Sequence, residues 1–332
     1  VIGPRFVKTP GLKDFPQSEK ILREITQKLW GETDEPVDRI VGKGRVISGF
    51  KIADVLKKNA IERDFSYMNE NEIASYGIAP VKIDFIHRRE GETDIYFVIN
   101  RRNTTENINA RFRMTGKVPE FWNPVDGSTS SAKAFSITDS ITTVPMQLAP
   151  YQGLFVVFRK PTSDTRQDGV NYTEHTVVKT LDTLWSLHFD PKSGGPGEPV
   201  IYNSLQDLTT NNIPEIKYYS GTVVYRKEFD LDILSEENLF LDLGTVHDLA
   251  TVRLNGNDLG TVWCAPWRLE ISQYCKPKGN ILEIAVTNTW WNRLVYDASQ
   301  PEEKRITKTN IGFSPAYKLM PSGLIGPVTI KR

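Results

Sequence analysis

From about Val81 onward, apolar and polar residues alternate with a period of two, in short stretches separated by turn-forming residues. Successive side chains of a strand point to opposite faces, so such alternation places one face in a core and the other in water. Antiparallel sheets tolerate that arrangement, whereas sheets covered on both faces read as continuous apolar runs. The pattern is clear over 82–87, 94–100, 110–114 and 154–159, and predicts an antiparallel β-sandwich over 79–160. The segment Glu120-Phe121-Trp122-Asn123-Pro124-Val125-Asp126-Gly127 reads as an edge connection, with Trp122 in the core. A polar stretch, 161–174, reads as a linker or the lead strand into the last domain. Short strands then recur at 185–189, 221–229, 239–243, 250–254, 268–271, 281–287 and 328–330, a spacing that predicts a jelly-roll over 161–332.

The first 75 residues read differently. Ile21, Leu22, Ile25 and Leu29 share one face of a helix over 17–30, closed by Gly31. A short strand at 45–48 follows the Gly42-Lys43-Gly44 turn, and Ile52, Val55 and Leu56 mark a second helix ending near Asn59. Alternation of this kind predicts part of a doubly wound α/β domain, around a parallel sheet, over 1–78. Val1-Ile2 reads as the end of a buried strand whose partners lie elsewhere, so the chain is expected to be part of a longer protein.

The 332 residues suffice for two or three domains, and 41 basic side chains balance 41 acidic ones. Neither nucleic acid nor an anionic membrane surface is favoured as a partner. No apolar run approaches the roughly 20 residues of a membrane span. Cys264 and Cys275 read as two unmodified or buried thiols, with a disulfide in an oxidising compartment as the alternative. The four histidines form no metal-ligand pair, and phosphate-binding loops and nucleophile elbows are absent. A catalytic (β/α)8 barrel needs about 250 residues of alternating strand and helix. That does not fit here, so no catalytic residue is assigned and any barrel is expected upstream.

Four of the seven tryptophans fall between residues 263 and 291. Trp263, Trp267, Trp290, Trp291, Asn292, Arg293, Tyr296 and Asp297 together offer flat rings for the C–H face of a sugar, with planar donors and acceptors for its hydroxyls. The competing reading is structural: buried Trp fills sandwich cores, and Arg pairs with a nearby Asp.

Residues 241–260, with the Asn255-Gly256 turn, resemble the galactose-binding-like jelly-roll of glycoside hydrolases, as in family 2. Trp263-Cys264-Ala265-Pro266-Trp267, Thr287-Asn288-Thr289-Trp290-Trp291-Asn292-Arg293-Leu294 and Pro321-Ser322-Gly323-Leu324-Ile325-Gly326-Pro327-Val328 resemble the C-terminal region of bacterial α-L-rhamnosidases of glycoside hydrolase family 106. Val1-Ile2-Gly3-Pro4 and Gly42-Lys43-Gly44-Arg45-Val46 resemble the amidotransferase-like domain after the barrel in such enzymes, and 84–97 its succeeding sandwich.

The resemblance implies a mostly β multidomain chain: a partial amidotransferase-like α/β segment, a β-sandwich, then a galactose-binding-like jelly-roll. It implies a non-catalytic accessory region of a polysaccharide-degrading enzyme, with carbohydrate and the N-terminal catalytic domains of the same polypeptide as partners. An independent carbohydrate-binding module and a structural interaction domain are the alternatives. The family's catalytic glutamates lie in a barrel this sequence does not contain. No cofactor is implied beyond a structural calcium ion seen in related jelly-rolls, and no acidic loop here has EF-hand spacing. Periplasmic or extracellular location is expected.

Overall fold

The computed structural model describes residues 5–32, 35–69, 83–231 and 238–332. It divides into two compact units, residues 1–66 and 67–332. The strand expected at Val1-Ile2 and the start of the alternating stretch at Val81 and Lys82 lie outside the described residues.

In the first unit, helix α1 occupies Gln17–Trp30 and stops where Gly31 adopts φ +88° and donates its N–H to Gln27 O at 2.8 Å. The buried side overlaps the predicted one only at Leu22 and Leu29, which are half-buried. Thr26 and Trp30 are buried, with Trp30 edge-on to Phe6 at 5.9 Å, whereas Ile21 and Ile25 remain about half exposed. Helical periodicity says which residues share a side, and the packing of the bulky indole selected a neighbouring one.

Strands β1 (Val37–Val41) and β2 (Gly44–Ser48) pair antiparallel around Gly42-Lys43, and helix α2 (Ile52–Lys58) turns Val55 inward. Strand β2, expected in a parallel sheet of a doubly wound segment over 1–78, is corrected to an antiparallel partner of β1. The two make a hairpin, because a two-residue connection can join antiparallel strands and a parallel pair needs a long crossover. Asp38 anchors the hairpin by accepting from Arg45 at 2.6 Å and Lys58 at 2.8 Å.

The second unit opens with a sandwich of two five-stranded antiparallel sheets. Its strands are β3 (Phe65–Asn69), β4 (Ile83–Glu90), β5 (Thr93–Asn100), β6 (Glu106–Phe112), β7 (Lys117–Trp122), β8 (Thr129–Ser131), β9 (Phe135–Thr138), β10 (Ile141–Leu148), β11 (Gly153–Pro161) and β12 (Arg166–Gln167). One sheet runs β12-β9-β10-β6-β3 and the other β4-β5-β11-β7-β8. β5 buries every second residue. Its Tyr96 meets Phe112 and Phe158 edge-on at 4.9 and 5.9 Å in the core.

The sandwich draws β3 from before the predicted 79–160 span and β12 from after it. Asn171, in the stretch read as a linker or lead strand, is bound to the same sandwich. Its Oδ1 accepts from the amides of Lys133 and Ala134, and its Nδ2 donates to Ala134 O and Pro145 O. A polar composition conceals such a clamp, since its partners are backbone groups far away in sequence.

A second sandwich follows, with strands β13 (Val177–Thr180), β14 (Trp185–His188), β15 (Val200–Tyr202), β16 (Thr222–Phe229), β17 (Phe240–Asp242), β18 (Thr245–His247), β19 (Leu249–Leu254), β20 (Asn257–Val262), β21 (Arg268–Glu270), β22 (Asn280–Thr287), β23 (Gly323–Gly326) and β24 (Thr329–Lys331). A short helix, α3 (Pro214–Lys217), precedes β16. Its sheets run β13-β24-β17-β21 and β15-β14-β16-β22-β19-β20, with a small β18-β23 pair beside them.

This is the predicted jelly-roll, packed around fully buried Trp185 and Tyr225. Asn255 and Gly256 both have positive φ in the β19-β20 turn, the geometry that the right-handed strand twist favours in a two-residue hairpin. At Gly244, φ is +67° and a Cβ would stand 2.4 Å from the carbonyl carbon of Gly326, so the two loops close on each other only because no side chain intervenes.

Candidate functional site

The aromatic-rich segment predicted as the site begins where β22 ends. Asn288 locks this corner: its Oδ1 accepts from Gly221 N at 2.8 Å, and its Nδ2 donates to Tyr219 O and Ser322 Oγ. Helix α4 (Trp291–Ala298) follows and buries Asn292, Arg293, Val295 and Asp297. Burying three polar residues on one side of a two-turn helix is costly unless each finds partners. The segment after the helix, residues 299–322, supplies those of Asn292 and Asp297, and Arg293 finds its own within the helix.

Asn292 binds the backbone of Met320 in both directions, donating to its carbonyl at 2.8 Å and accepting from its amide at 2.9 Å. Asp297 Oδ2 accepts from Ile306 N, Thr307 N and Thr307 Oγ1 at 3.0, 2.7 and 2.7 Å. Arg293 Nε stands 2.9 Å from Asp297 Oδ1, with 8% and 3% of the two side chains exposed. That contact is an ion pair whose N–H is not aimed along it, since neither atom makes a well-formed hydrogen bond. The Arg293 guanidinium also lies 5.2 Å from the Tyr296 ring centre. Asn292, Arg293 and Asp297 are therefore committed to holding the loop, and the structural reading describes them.

The rings divide. Trp291 is partly covered: its Nε1 donates to Lys318 O at 2.9 Å, and its ring stacks on Tyr317 at 5.8 Å and meets Phe313 edge-on at 5.3 Å. Tyr296 stacks on Tyr218 at 4.6 Å. Trp267 is half-buried against the jelly-roll core. Trp290, at the mouth of α4, is 50% exposed, and Trp263, on the β20-β21 connection, is 56% exposed. Among the described residues no ring contact joins Trp263 or Trp267 to the α4 aromatics.

Phe313, Tyr317 and Tyr218 were not foreseen, though two aromatic residues in an otherwise polar, aperiodic stretch such as 305–318 are a readable signal. Cys264 and Cys275 are free thiols. No group of three His, Cys, Asp or Glu side chains is placed to hold a metal ion among the described residues.

The carboxylates that are buried or nearly so are already engaged. Asp94 faces His87 and Lys117, Glu106 faces Arg102, Glu120 faces Arg159 and Lys160, and Asp242 faces Arg268 and Lys331. Burial alone would raise the Glu120 and Asp242 carboxyls. For Glu120, hydrogen bonds from Lys160, Arg159 and Trp122 outweigh burial and hold it below the usual range. For Asp242, Lys331, the Gly244 amide and Arg268 do the same. Both stay ionised, the opposite of what a general acid requires.

Residues 1–137 match the family model described as alpha-L-rhamnosidase, and residues 201–322 match the glycosyl hydrolase 2 galactose-binding domain-like model. A solved rhamnosidase from Novosphingobium sp. PP1Y is 35% identical with a TM-score of 0.75, over 99% of this chain and 30% of that one. A Formosa agariphila protein, provisionally named a beta-glucuronidase, is 29% identical over 168 residues, 50% of this chain and 13% of that protein. The chain thus spans less than a third of either relative. It resembles glycoside hydrolases and carries a galactose-binding-like domain.

Proposed function

We propose that this glycoside-hydrolase-like chain serves as a non-catalytic accessory region, recognising sugar for an enzyme whose active site is built by other domains of the same polypeptide. The observation that carries this reading is the exposure of Trp290, beside a helix and loop held rigid by Asn292, Arg293 and Asp297, on a galactose-binding-like jelly-roll. An exposed indole on a fixed support is a stacking platform for a sugar ring. The engaged state of the buried carboxylates supports the absence of hydrolytic chemistry within the described residues.

The similarity to rhamnosidases favours a rhamnose-containing plant or microbial polysaccharide as the parent's substrate, and periplasmic or extracellular action. A self-sufficient carbohydrate-binding module is the second reading, and the exposure of Trp263 on a separate loop favours it. A domain that packs only against a protein partner would bind no glycan.

Calorimetric titration of the chain with rhamnose- and galactose-containing oligosaccharides, alongside hydrolysis of aryl glycosides, tests the proposal. Binding without turnover is expected, with Trp290→Ala weakening affinity by about 3- to 10-fold, the value of one aromatic stacking contact. Turnover by the chain itself overturns the accessory role.

A further inference from the structure

A second concave site lies away from α4, in the second unit, where the first sandwich, the 171–175 segment and the start of β21 come together. It is a cleft of about 370 Å³, within the roughly 300–1,000 Å³ typical of small-ligand sites. Its lining includes Asn123, Gln147, Gln152, Tyr172, His175 and Arg268. Asn123 is engaged in its own turn, accepting from Val125 N and bonding Asp126, while Gln147 donates to Asn107 and Gln152 accepts from Ala149 N. The other amide atom of each glutamine, the phenol and the imidazole are groups that read sugar hydroxyls.

The charges at this cleft are one-sided. Among the described residues, Arg268 is the single charged side chain in the lining, and no carboxylate joins it. Arg268 Nη2 and Nε donate to Asp242 Oδ2 at 3.0 and 3.3 Å, and Lys331 Nζ donates to the same oxygen at 2.7 Å. One carboxylate therefore faces two cations, leaving an excess positive charge behind the cleft wall.

His175 is the further oddity. Its buried Nδ1 has no hydrogen-bond partner, and its ring is edge-on to Phe240 at 4.7 Å. Burial, then Arg268 and Lys331, push its pKa below the usual value, so the ring is neutral near pH 7 and able both to donate and to accept. Nδ1 is closed off from solvent, so it is the remainder of the half-buried ring that lines the cleft.

We infer that this cleft binds an anionic sugar unit, a hexuronate or a sulfated hexose, with its acidic group set against Arg268 and its hydroxyls against the glutamine amides, Tyr172 and His175. The inference rests on the sugar-recognition reading for the class of ligand. The site itself is separate from the Trp290 face.

The test uses the full chain and calorimetric titration with glucuronate, galacturonate, galactose 6-sulfate, and neutral galactose and rhamnose. The charged sugars are expected to bind at least about tenfold more tightly than the neutral ones, the value of a hydrogen bond to a charged group. Preference for the two hexuronates identifies a carboxylate site, and preference for the sulfated sugar a sulfate site. Ser130→Trp, at an exposed position in the cleft lining, is expected to abolish charged-sugar binding and leave neutral oligosaccharide binding unchanged. Trp290→Ala is expected to weaken neutral oligosaccharide binding about 3- to 10-fold and to leave charged-sugar binding unchanged. His175→Phe, close in shape but without ring nitrogens, is expected to weaken charged-sugar binding severalfold.

Equal affinity for charged and neutral sugars, absence of charged-sugar binding, or charged-sugar binding untouched by Ser130→Trp overturns the inference. Neutral oligosaccharide binding that survives such a result leaves the Trp290 reading intact, and loss of both kinds of binding removes both.

Discussion

Replacing Asp297 with alanine isolates the interaction that holds α4 to its loop. The carboxylate is 3% exposed and faces Arg293, which is 8% exposed and would be left as a buried guanidinium with no counter-charge. Breaking a buried pair from one side costs about 3–5 kcal/mol, because the surviving ion keeps its desolvation penalty and loses its compensation. The imperfect aim of the Arg293 N–H lowers what the pair itself is worth, but not the penalty of stranding the charge.

The amides of Ile306 and Thr307 also lose an acceptor, but these residues are exposed or half-exposed and water replaces it. That adds no more than about 1 kcal/mol. A loss of about 4 kcal/mol corresponds to a fall of roughly 12 °C in the melting temperature of the jelly-roll, at about 3 °C per kcal/mol for a body of this size. Thermal denaturation followed by tryptophan fluorescence reads the shift, and limited trypsin digestion at Lys304, Arg305 and Lys308 reads release of the loop. The double variant Arg293→Met with Asp297→Leu is expected to recover most of the lost stability, since an apolar pair of similar volume replaces a buried ion pair at little cost. A single variant within 1 kcal/mol of the parent, or a double variant no better than the single, refutes the argument.

Gly244→Ala is expected to cost at least about 3 kcal/mol, because the new Cβ meets Gly326 backbone atoms at 2.4 and 2.5 Å from a left-handed conformation; chemical denaturation measures it, and a neutral result contradicts the close approach. Asp242 has a lowered carboxyl pKa in the folded chain, so its stabilisation is complete above the unfolded value near pH 4 and is lost as pH falls through the lowered one. The melting-temperature gap between the parent and Asp242→Asn is therefore expected to be widest near neutral pH and to close in acid, and a gap constant down to about pH 2 refutes this. Burial pushes the Cys275 thiol up to about 11, so iodoacetamide at about pH 8 is expected to leave it largely unmodified until the chain is unfolded; rapid labelling of folded protein argues against that burial.

Much of the architecture was legible because sheet periodicity is local. Every second residue of β5 and of β22 is buried, and the Asn255-Gly256 turn sits where a hairpin needs two positive φ angles. Composition and spacing likewise located the aromatic segment around Trp290. What they left open was the role of each residue in it. Asn292 finds its partner at Met320, 28 residues on, and Asp297 finds amides 9 and 10 residues on. No local pattern foretells pairings of that separation.

Periodicity also says which residues share a side, but not what covers that side. For that reason α1 buries Thr26 and Trp30 while Ile21 and Ile25 stay exposed, and β2 forms a hairpin with β1 in place of joining a parallel sheet. The cleft at His175 is the extreme case, since its walls come from segments more than 140 residues apart, such as Asn123 and Arg268. The sequence by itself determined strand positions, turns and the antiparallel class, because these follow from backbone sterics and the burial of alternate side chains. The tertiary structure alone decided which polar and aromatic groups are consumed in packing and which face solvent, because that depends on partners brought together only by folding.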